Sequence, residues 1–136
     1  MHIVTTHKGT DFDALASIVA ANLLYPGIVT VLPGSLNPNV RAFLSLHKDL
    51  FGFCTSEEID LDKMDKLTVV DINRWDRLDG FDRLKKNRHL KIALFDRHDN
   101  QGDIEDPKVQ FAAYGIPITP KQFQKLAEKV SPKAAE

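Results

Sequence analysis

The sequence has a single cysteine and no long apolar run. Cys54 therefore cannot form an internal disulfide, and no stretch approaches the roughly 18 apolar residues that a membrane span requires. No charged-then-apolar leader follows Met1, so we expect a cytoplasmic protein without a membrane partner. Because no His or Asn partner for Cys54 is evident nearby in the sequence, we expect this thiol to be a packing residue and not a nucleophile.

An excess of positive charge is also absent. The chain has 18 basic and 19 acidic residues and a formal net charge of -1, which excludes an extended nucleic-acid footprint but leaves a small phosphate site open. No Gly-x-Gly-x-x-Gly motif follows the first β-prone segment, and its absence counts against a dinucleotide-binding domain.

What is present is the pattern of one α/β domain over residues 1–136. Apolar β-prone runs at 3–6, 28–32, 67–70 and 92–95 alternate with segments that favour helices at 13–24, 39–50, 75–86 and 120–130. Such alternation implies right-handed crossovers and a mainly parallel sheet. The runs are continuously apolar, as expected when helices flank both faces of the sheet. We therefore predict a three-layer α/β domain.

Charged and imidazole side chains follow three of these predicted strands. They are His7, Asp11, Asp13, Asp71, Asp96, Arg97 and His98. Because the carboxyl ends of parallel strands meet at one edge of a sheet, where open α/β sheets bind ligands, we expect these residues to converge. Mixed Asp and His ligands suit Mn²⁺ or Mg²⁺, and the thiolates of a structural zinc site are lacking.

A simpler interpretation of the first cluster stays open. Asp13 could be the N-cap of the helix that follows it, with Asp11 a turn residue. Asp96 is equally ambiguous, because it could support a metal ligand by a hydrogen bond or pair with Arg97 or a backbone amide.

The motifs His7-x3-Asp11-x-Asp13-Ala14, Val70-Asp71 and Asp96-Arg97-His98 resemble, in order and strand context, the first three motifs of the DHH phosphoesterases. That family includes manganese pyrophosphatases, exopolyphosphatases and oligonucleotide phosphatases. Residues 10–50 are similar to the DHH domain that begins certain bacterial proteins fused to CBS and tRNA nucleotidyltransferase modules. The resemblance covers most of the chain and implies a Rossmann-like DHH fold.

The resemblance also implies roles for individual residues. His7 and Asp11 would hold a first metal ion, Asp13 a second, and Asp71 would bridge them and take part in catalysis. His98 would face the substrate phosphate and act with Asp71. The implied reaction is hydrolysis of a phosphoester or phosphoanhydride bond in a phosphate-containing small molecule or short oligonucleotide, with a homodimer as one possible assembly.

Two departures from the family pattern change these expectations. Arg97 stands where the family has the first of two histidines, and a guanidinium has no lone pair to give to a metal. We therefore expect one ion instead of two, with Arg97 and His98 contacting phosphate. The family's fourth Asp motif and its smaller C-terminal domain are not recognisable in residues 1–136. A degenerate module that binds a phosphate ligand or nucleotide, or acts as a regulatory domain, is thus the alternative to an active hydrolase.

Overall fold

A computed structural model describes residues 1–47, 51–87, 89–96, 102–104 and 119–130. In these ranges the chain forms four strands and three α-helices, joined in part by short 3-10 helices. None of these helices has the length and apolar content needed to cross a membrane. The strands are β1 (His2–Thr5), β2 (Val29–Thr30), β3 (Lys66–Val70) and β4 (Lys91–Phe95), and the helices are α1 (Phe12–Leu24), α2 (Pro38–Leu46) and α3 (Pro120–Val130).

The four strands form one parallel sheet in the order β2-β1-β3-β4. Ile3 pairs with Leu67, which pairs in turn with Ile92. Neighbouring residues on a strand point to opposite faces, and both Ile3 and Val4 are 0% exposed, so both faces of the sheet are covered. The predicted α/β class and parallel sheet are therefore confirmed.

Helices α1 and α3 pack against each other on one face of the sheet. Their apolar side chains share a core cluster with Val4, Val70 and Phe95. The rings of Phe95 and Phe123 stack with centroids 3.9 Å apart and planes inclined by 21°. This contact fixes α3 beside β4, the strand whose carboxyl end carries the third sequence motif.

The opposite face is covered differently from the prediction. An α-helix over 75–86 was expected, but the structure has two 3-10 helices there, Trp75–Arg77 and Asp82–Lys86. Apolar residues recur every third position, which is the period of a 3-10 helix and not of an α-helix. Gly80, with a φ of 83°, separates the two helices and lies so close to Ser56 that a side chain would collide with it. The buried residues are Trp75, Leu78, Phe81 and Leu84.

Several element boundaries also differ from those predicted. Strand β2 covers two residues instead of 28–32, since Val31 instead forms an isolated bridge with Cys54. Helix α2 begins at Pro38 and ends at Leu46, and residues 48–50 of the predicted helix lie outside the described ranges. Helix α3 matches its predicted bounds of 120–130.

Cys54 is half-buried, and its Sγ donates a hydrogen bond of 3.4 Å to the Thr30 carbonyl. Burial raises the pKa of this thiol above its usual value, which disfavours the nucleophilic thiolate. The expectation that Cys54 is a packing residue is confirmed.

Candidate metal site

Strand register brings two of the sequence motifs together. Thr5 of β1 pairs with Val69 of β3, so the residues that follow each strand leave the sheet side by side. The Thr6 hydroxyl donates a 2.7 Å hydrogen bond to the Val70 carbonyl and continues this pairing past the end of β1. His7 and Asp71 are the next residues on their respective chains. The carboxyl edge of the sheet is therefore where an imidazole and a carboxylate meet, as predicted.

Three side chains at this edge form a compact group, which we call the triad: His7, Asp11 and Asp71. Each offers one ligand atom, and these atoms all lie within 4.8 Å of one another. His7 Nε2 is 3.5 Å from Asp71 Oδ2 and 3.8 Å from Asp11 Oδ1. One imidazole and two carboxylates at these separations fit the preferences of Mn²⁺, and oxygen-rich sites of this kind also suit Mg²⁺.

Asp71 is held in an unusual backbone conformation. Its φ is 62°, in the left-handed region that most residues avoid, although Asp and Asn enter it more readily. The Asp71 amide donates a 2.8 Å hydrogen bond to the Phe95 carbonyl at the end of β4. Asp71 as a whole residue is only 6% exposed. The chain therefore turns sharply after β3 and leaves the carboxylate facing His7 instead of solvent.

The His7 ring is oriented from its other nitrogen. Nδ1 lies 2.9 Å from the Lys8 carbonyl, and because a carbonyl can only accept, Nδ1 carries the proton. Nε2 thus faces the two carboxylates, an arrangement found in many His metal ligands. Interaction with Asp71 is the main cause that raises the pKa of His7, supported by the Lys8 carbonyl and the Asp11 charge and opposed by burial. The site therefore favours a positive charge at Nε2, whether a proton or a metal ion supplies it.

Asp11 has two roles in the structure. It is the N-cap of α1, and its Oδ1 accepts a 2.9 Å hydrogen bond from the Ala14 amide. The simpler interpretation of the cluster placed the cap at Asp13, and this was wrong by two residues, because α1 begins at Phe12. Asp11 therefore both caps α1 and belongs to the triad. Its capping role alone does not explain why its carboxylate lies 3.8 Å from His7 Nε2.

Substitutions at Asp11 can separate these roles. Asp11→Asn keeps an acceptor oxygen for the Ala14 amide, so its free energy of unfolding without metal should stay within about 0.5 kcal/mol of wild type, whereas Asp11→Ala should lose about 1 kcal/mol. Both variants lose a charged ligand and should bind Mn²⁺ more weakly by roughly tenfold or more. Urea denaturation and calorimetric Mn²⁺ titration measure the two effects. Wild-type Mn²⁺ affinity in Asp11→Asn would reduce Asp11 to a helix cap.

Two of the other predicted site residues are described by the structure, and both lie outside the triad. Asp13 is exposed in the first turn of α1, outside the triad, although it lines the same pocket as Asp11. Asp96 directly follows β4 and is half-buried. Arg97 and His98 lie outside the described residues, so their predicted contact with phosphate remains a prediction.

One residue beside the site was missed from the sequence. Arg77 donates from Nη2 to the Lys8 carbonyl at 3.2 Å, the same carbonyl that accepts from His7, and the Lys8 amide donates to the Arg77 carbonyl at 2.7 Å. The Lys8 ammonium lies 3.3 Å from the Asp76 carbonyl. These contacts place the exposed Arg77 guanidinium at the Lys8 carbonyl, on the Nδ1 side of the His7 ring. No local pattern marks Arg77, because its partner is 69 positions away in the sequence.

No family model matches this sequence. The chain is similar to an A-adding tRNA nucleotidyltransferase from Geobacter sulfurreducens, with 30% identity over 106 residues that make up 76% of the chain and 12% of that protein. The chain thus spans about one eighth of the relative that it matches. This match supports the expected similarity to a tRNA nucleotidyltransferase, while the DHH domain stays a prediction.

Proposed function

We propose that the triad binds one divalent cation, Mn²⁺ or Mg²⁺, and that the chain is a DHH-type domain that hydrolyses phosphoester or phosphoanhydride bonds. The observation that carries the proposal is the convergence of His7, Asp11 and Asp71 within 4.8 Å at the carboxyl edge of the sheet. The order and strand context of the DHH-like motifs support it, as does the similarity to a tRNA nucleotidyltransferase.

The chain's own residues have distinct parts in this proposal. His7 presents Nε2 because its Nδ1 donates to the Lys8 carbonyl at 2.9 Å. Asp71 is held toward His7 by its left-handed backbone, with a φ of 62°. Exposed Arg77 donates to the same Lys8 carbonyl, and its positive charge would attract a phosphate ligand. A divalent ion bound there would supply Lewis acidity to a phosphoryl group and lower the pKa of water.

A specific observation favours a second candidate function. The triad provides three ligands for one ion, while Asp13, which the resemblance assigns to a second ion, lies outside it. Arg97 also replaces a histidine of the family pattern. A one-ion site lacks the paired clamp that stabilises attacking and leaving oxygens. The second candidate is therefore a module that binds a nucleotide or other phosphate ligand without hydrolysing it, or that serves as a regulatory domain.

Phosphate release distinguishes the two functions. With Mn²⁺, the hydrolase should release phosphate from pyrophosphate, short polyphosphate or short oligonucleotides, and EDTA should abolish the release. Binding of Mn²⁺ and phosphate without turnover on any of these substrates would favour the binding module. Absence of Mn²⁺ binding would contradict both.

The variant Arg97→His tests the number of ions. It restores the imidazole of the family pattern, so we expect the Mn²⁺ stoichiometry measured by calorimetry to rise from one toward two, with faster phosphate release. Arg97→Gln is the matched control, because it removes the positive charge without adding a metal ligand. Unchanged stoichiometry in Arg97→His would show that Arg97 does not exclude a second ion.

A further inference from the structure

The peptide group between Lys8 and Gly9, directly after the triad's histidine, is held by hydrogen bonds at both of its ends. Its carbonyl oxygen accepts from His7 Nδ1 at 2.9 Å and from Arg77 Nη2 at 3.2 Å. Its N–H donates to Ser35, whose carbonyl and hydroxyl oxygens lie 2.9 and 3.1 Å from the Gly9 nitrogen. A carbonyl oxygen has two lone pairs, so His7 and Arg77 together occupy the acceptor capacity of this one.

Arg77 reaches this peptide group from a backbone that the core holds in place. It is the last residue of the 3-10 helix Trp75–Arg77. Trp75 is 5% exposed and Leu78, the residue after Arg77, is 1% exposed, so buried side chains anchor the helix at both ends. The Arg77 carbonyl also accepts a 2.7 Å hydrogen bond from the Lys8 amide. The exposed guanidinium therefore meets the Lys8 carbonyl from a fixed direction.

The direction of the Lys8 carbonyl decides which nitrogen of His7 is available to a metal ion. A neutral imidazole has one protonated nitrogen and one lone pair, and a hydrogen bond at one nitrogen sets the state of the other. While the carbonyl faces Nδ1, the proton stays there and Nε2 presents its lone pair to the carboxylates. If the carbonyl turned away, the Asp71 carboxylate, 3.5 Å from Nε2, would favour the tautomer protonated at Nε2. That tautomer has no lone pair to offer on the triad side.

We propose that Arg77 is a positioning residue for the metal site: it holds the Lys8 carbonyl toward His7 Nδ1 and so keeps the Nε2 lone pair directed into the triad. This inference rests on the proposed function, because it concerns the ion bound at the triad. The guanidinium charge itself repels a cation. Any favourable effect of Arg77 on metal binding must therefore come from the direction in which it holds the carbonyl.

The experiment titrates Mn²⁺ alone, without phosphate, into the wild type and Arg77→Met. Methionine keeps an unbranched apolar stem and has no N–H donor. We expect calorimetry to show that Arg77→Met binds Mn²⁺ about three- to tenfold more weakly, less than the roughly 10- to 100-fold cost of removing a group bonded directly to a ligand. Electrostatics alone would give the opposite result, because the loss of a positive charge favours cation binding.

Arg74→Met is the matched control. Arg74 lies three residues earlier and is also exposed, and its Nε and Nη2 each donate to an Asp76 carboxylate oxygen at 3.1 Å. The substitution removes the same charge from the same segment without removing a donor to the Lys8 carbonyl. We expect Arg74→Met to bind Mn²⁺ at least as tightly as the wild type.

Nitrogen NMR of His7 provides a readout that a purely structural role would not change. The spectra are recorded on metal-free protein at a pH where the imidazole is neutral. In the wild type and in Arg74→Met, His7 should be protonated at Nδ1. In Arg77→Met, a measurable fraction should be protonated at Nε2, because the Lys8 carbonyl is no longer held toward Nδ1.

The outcomes separate this inference from the proposed function. If the wild type binds Mn²⁺ and Arg77→Met binds it equally or more tightly, the role of Arg77 is overturned and the proposed function stands. An equal weakening in Arg74→Met would also overturn that role, as would a wild-type tautomer in Arg77→Met, because neither depends on the Lys8 carbonyl. If the wild type does not bind Mn²⁺, the proposed function fails and this inference fails with it.

Discussion

Replacing Asp71 with asparagine is expected to lower Mn²⁺ affinity by at least about 100-fold, because mutation of groups that merely support a ligand already costs 10- to 100-fold. Asp71 is 6% exposed and its Oδ2 lies 3.5 Å from His7 Nε2, so the substitution removes the buried carboxylate of the triad. The same substitution should abolish any Mn²⁺-dependent phosphate release. Calorimetric titration and a phosphate assay measure the two losses.

The choice of asparagine matters because of the backbone at this position. Asp71 has a φ of 62°, a conformation that Asn adopts readily and Ala does not. Without metal, the free energy of unfolding of Asp71→Asn should therefore lie within about 1 kcal/mol of the wild-type value. Asp71→Ala should lose about 1 kcal/mol more than Asp71→Asn. The comparison separates the loss of a ligand from the loss of the fold.

The pKa of His7 provides a second, spectroscopic test of Asp71→Asn. Interaction with Asp71 is the main cause that raises the pKa of His7, so this pKa should fall toward its ordinary value in metal-free Asp71→Asn. NMR titration of the imidazole protons measures this pKa.

In the wild type, the raised pKa of His7 means that protons compete with Mn²⁺ for Nε2. The Mn²⁺ affinity should therefore weaken as the pH falls below that pKa.

Two other aspartates provide comparisons for Asp71→Asn. Asp62→Asn alters an exposed carboxylate on a short 3-10 helix and should leave Mn²⁺ affinity unchanged. Asp13→Asn should have an effect below about threefold if one ion binds at the triad, since loss of a true ligand costs far more. An Asp71→Asn protein that binds Mn²⁺ like the wild type would contradict the proposed site. A large loss in Asp13→Asn would instead support the second ion that the family resemblance implies.

Replacing Phe81 with alanine is expected to lower the free energy of unfolding by about 3 to 5 kcal/mol, the usual cost of truncating a buried phenylalanine. Phe81 is 0% exposed and belongs to the cluster that covers the second face of the sheet. It lies between the two 3-10 helices, where no regular hydrogen-bonded helix holds the chain. Side-chain packing therefore has to fix this segment against β1 and β3.

Urea denaturation at equilibrium measures this loss, with the slope of the transition as a check on two-state unfolding. Phe81→Leu keeps most of the apolar volume and should lose considerably less than Phe81→Ala. Leu23→Ala, on an exposed part of α1, should change stability by no more than about 0.5 kcal/mol. A loss below about 1 kcal/mol in Phe81→Ala would show that the 3-10 segment contributes little to the core.

Much of the α/β framework could be predicted from local sequence. The apolar runs at 67–70 and 92–95 lie within β3 and β4, because segments buried on both faces are apolar at every position. Helix α3 was predicted within its observed bounds because its cap is local: the Thr119 amide donates to Gln122, and the Gln122 amide donates to the Thr119 hydroxyl. A helix cap of this kind can be predicted from the sequence, because its two partners lie three residues apart.

The segment after β3 shows where local patterns mislead. Residues 75–86 have the charge and apolar content of an amphipathic helix, and a helix was predicted. The period of three and the left-handed Gly80 instead produce two 3-10 helices. The spacing of Trp75, Leu78 and Phe81 is visible in the sequence, but their packing against the sheet is what selects the 3-10 form over an α-helix.

The sequence by itself determined the parallel α/β class and the presence of imidazole and carboxylate groups after β1 and β3. The parallel direction of the strands then implied that these groups share one edge of the sheet. Only the tertiary structure decided which of them meet. Asp11 joins His7 and Asp71 while Asp13, two residues further along, does not, because α1 begins between them and its first turn carries Asp13 toward solvent. The left-handed turn at Asp71 and the contact of Arg77 with Lys8 likewise arise from packing between segments distant in the sequence, and a linear pattern does not encode such packing.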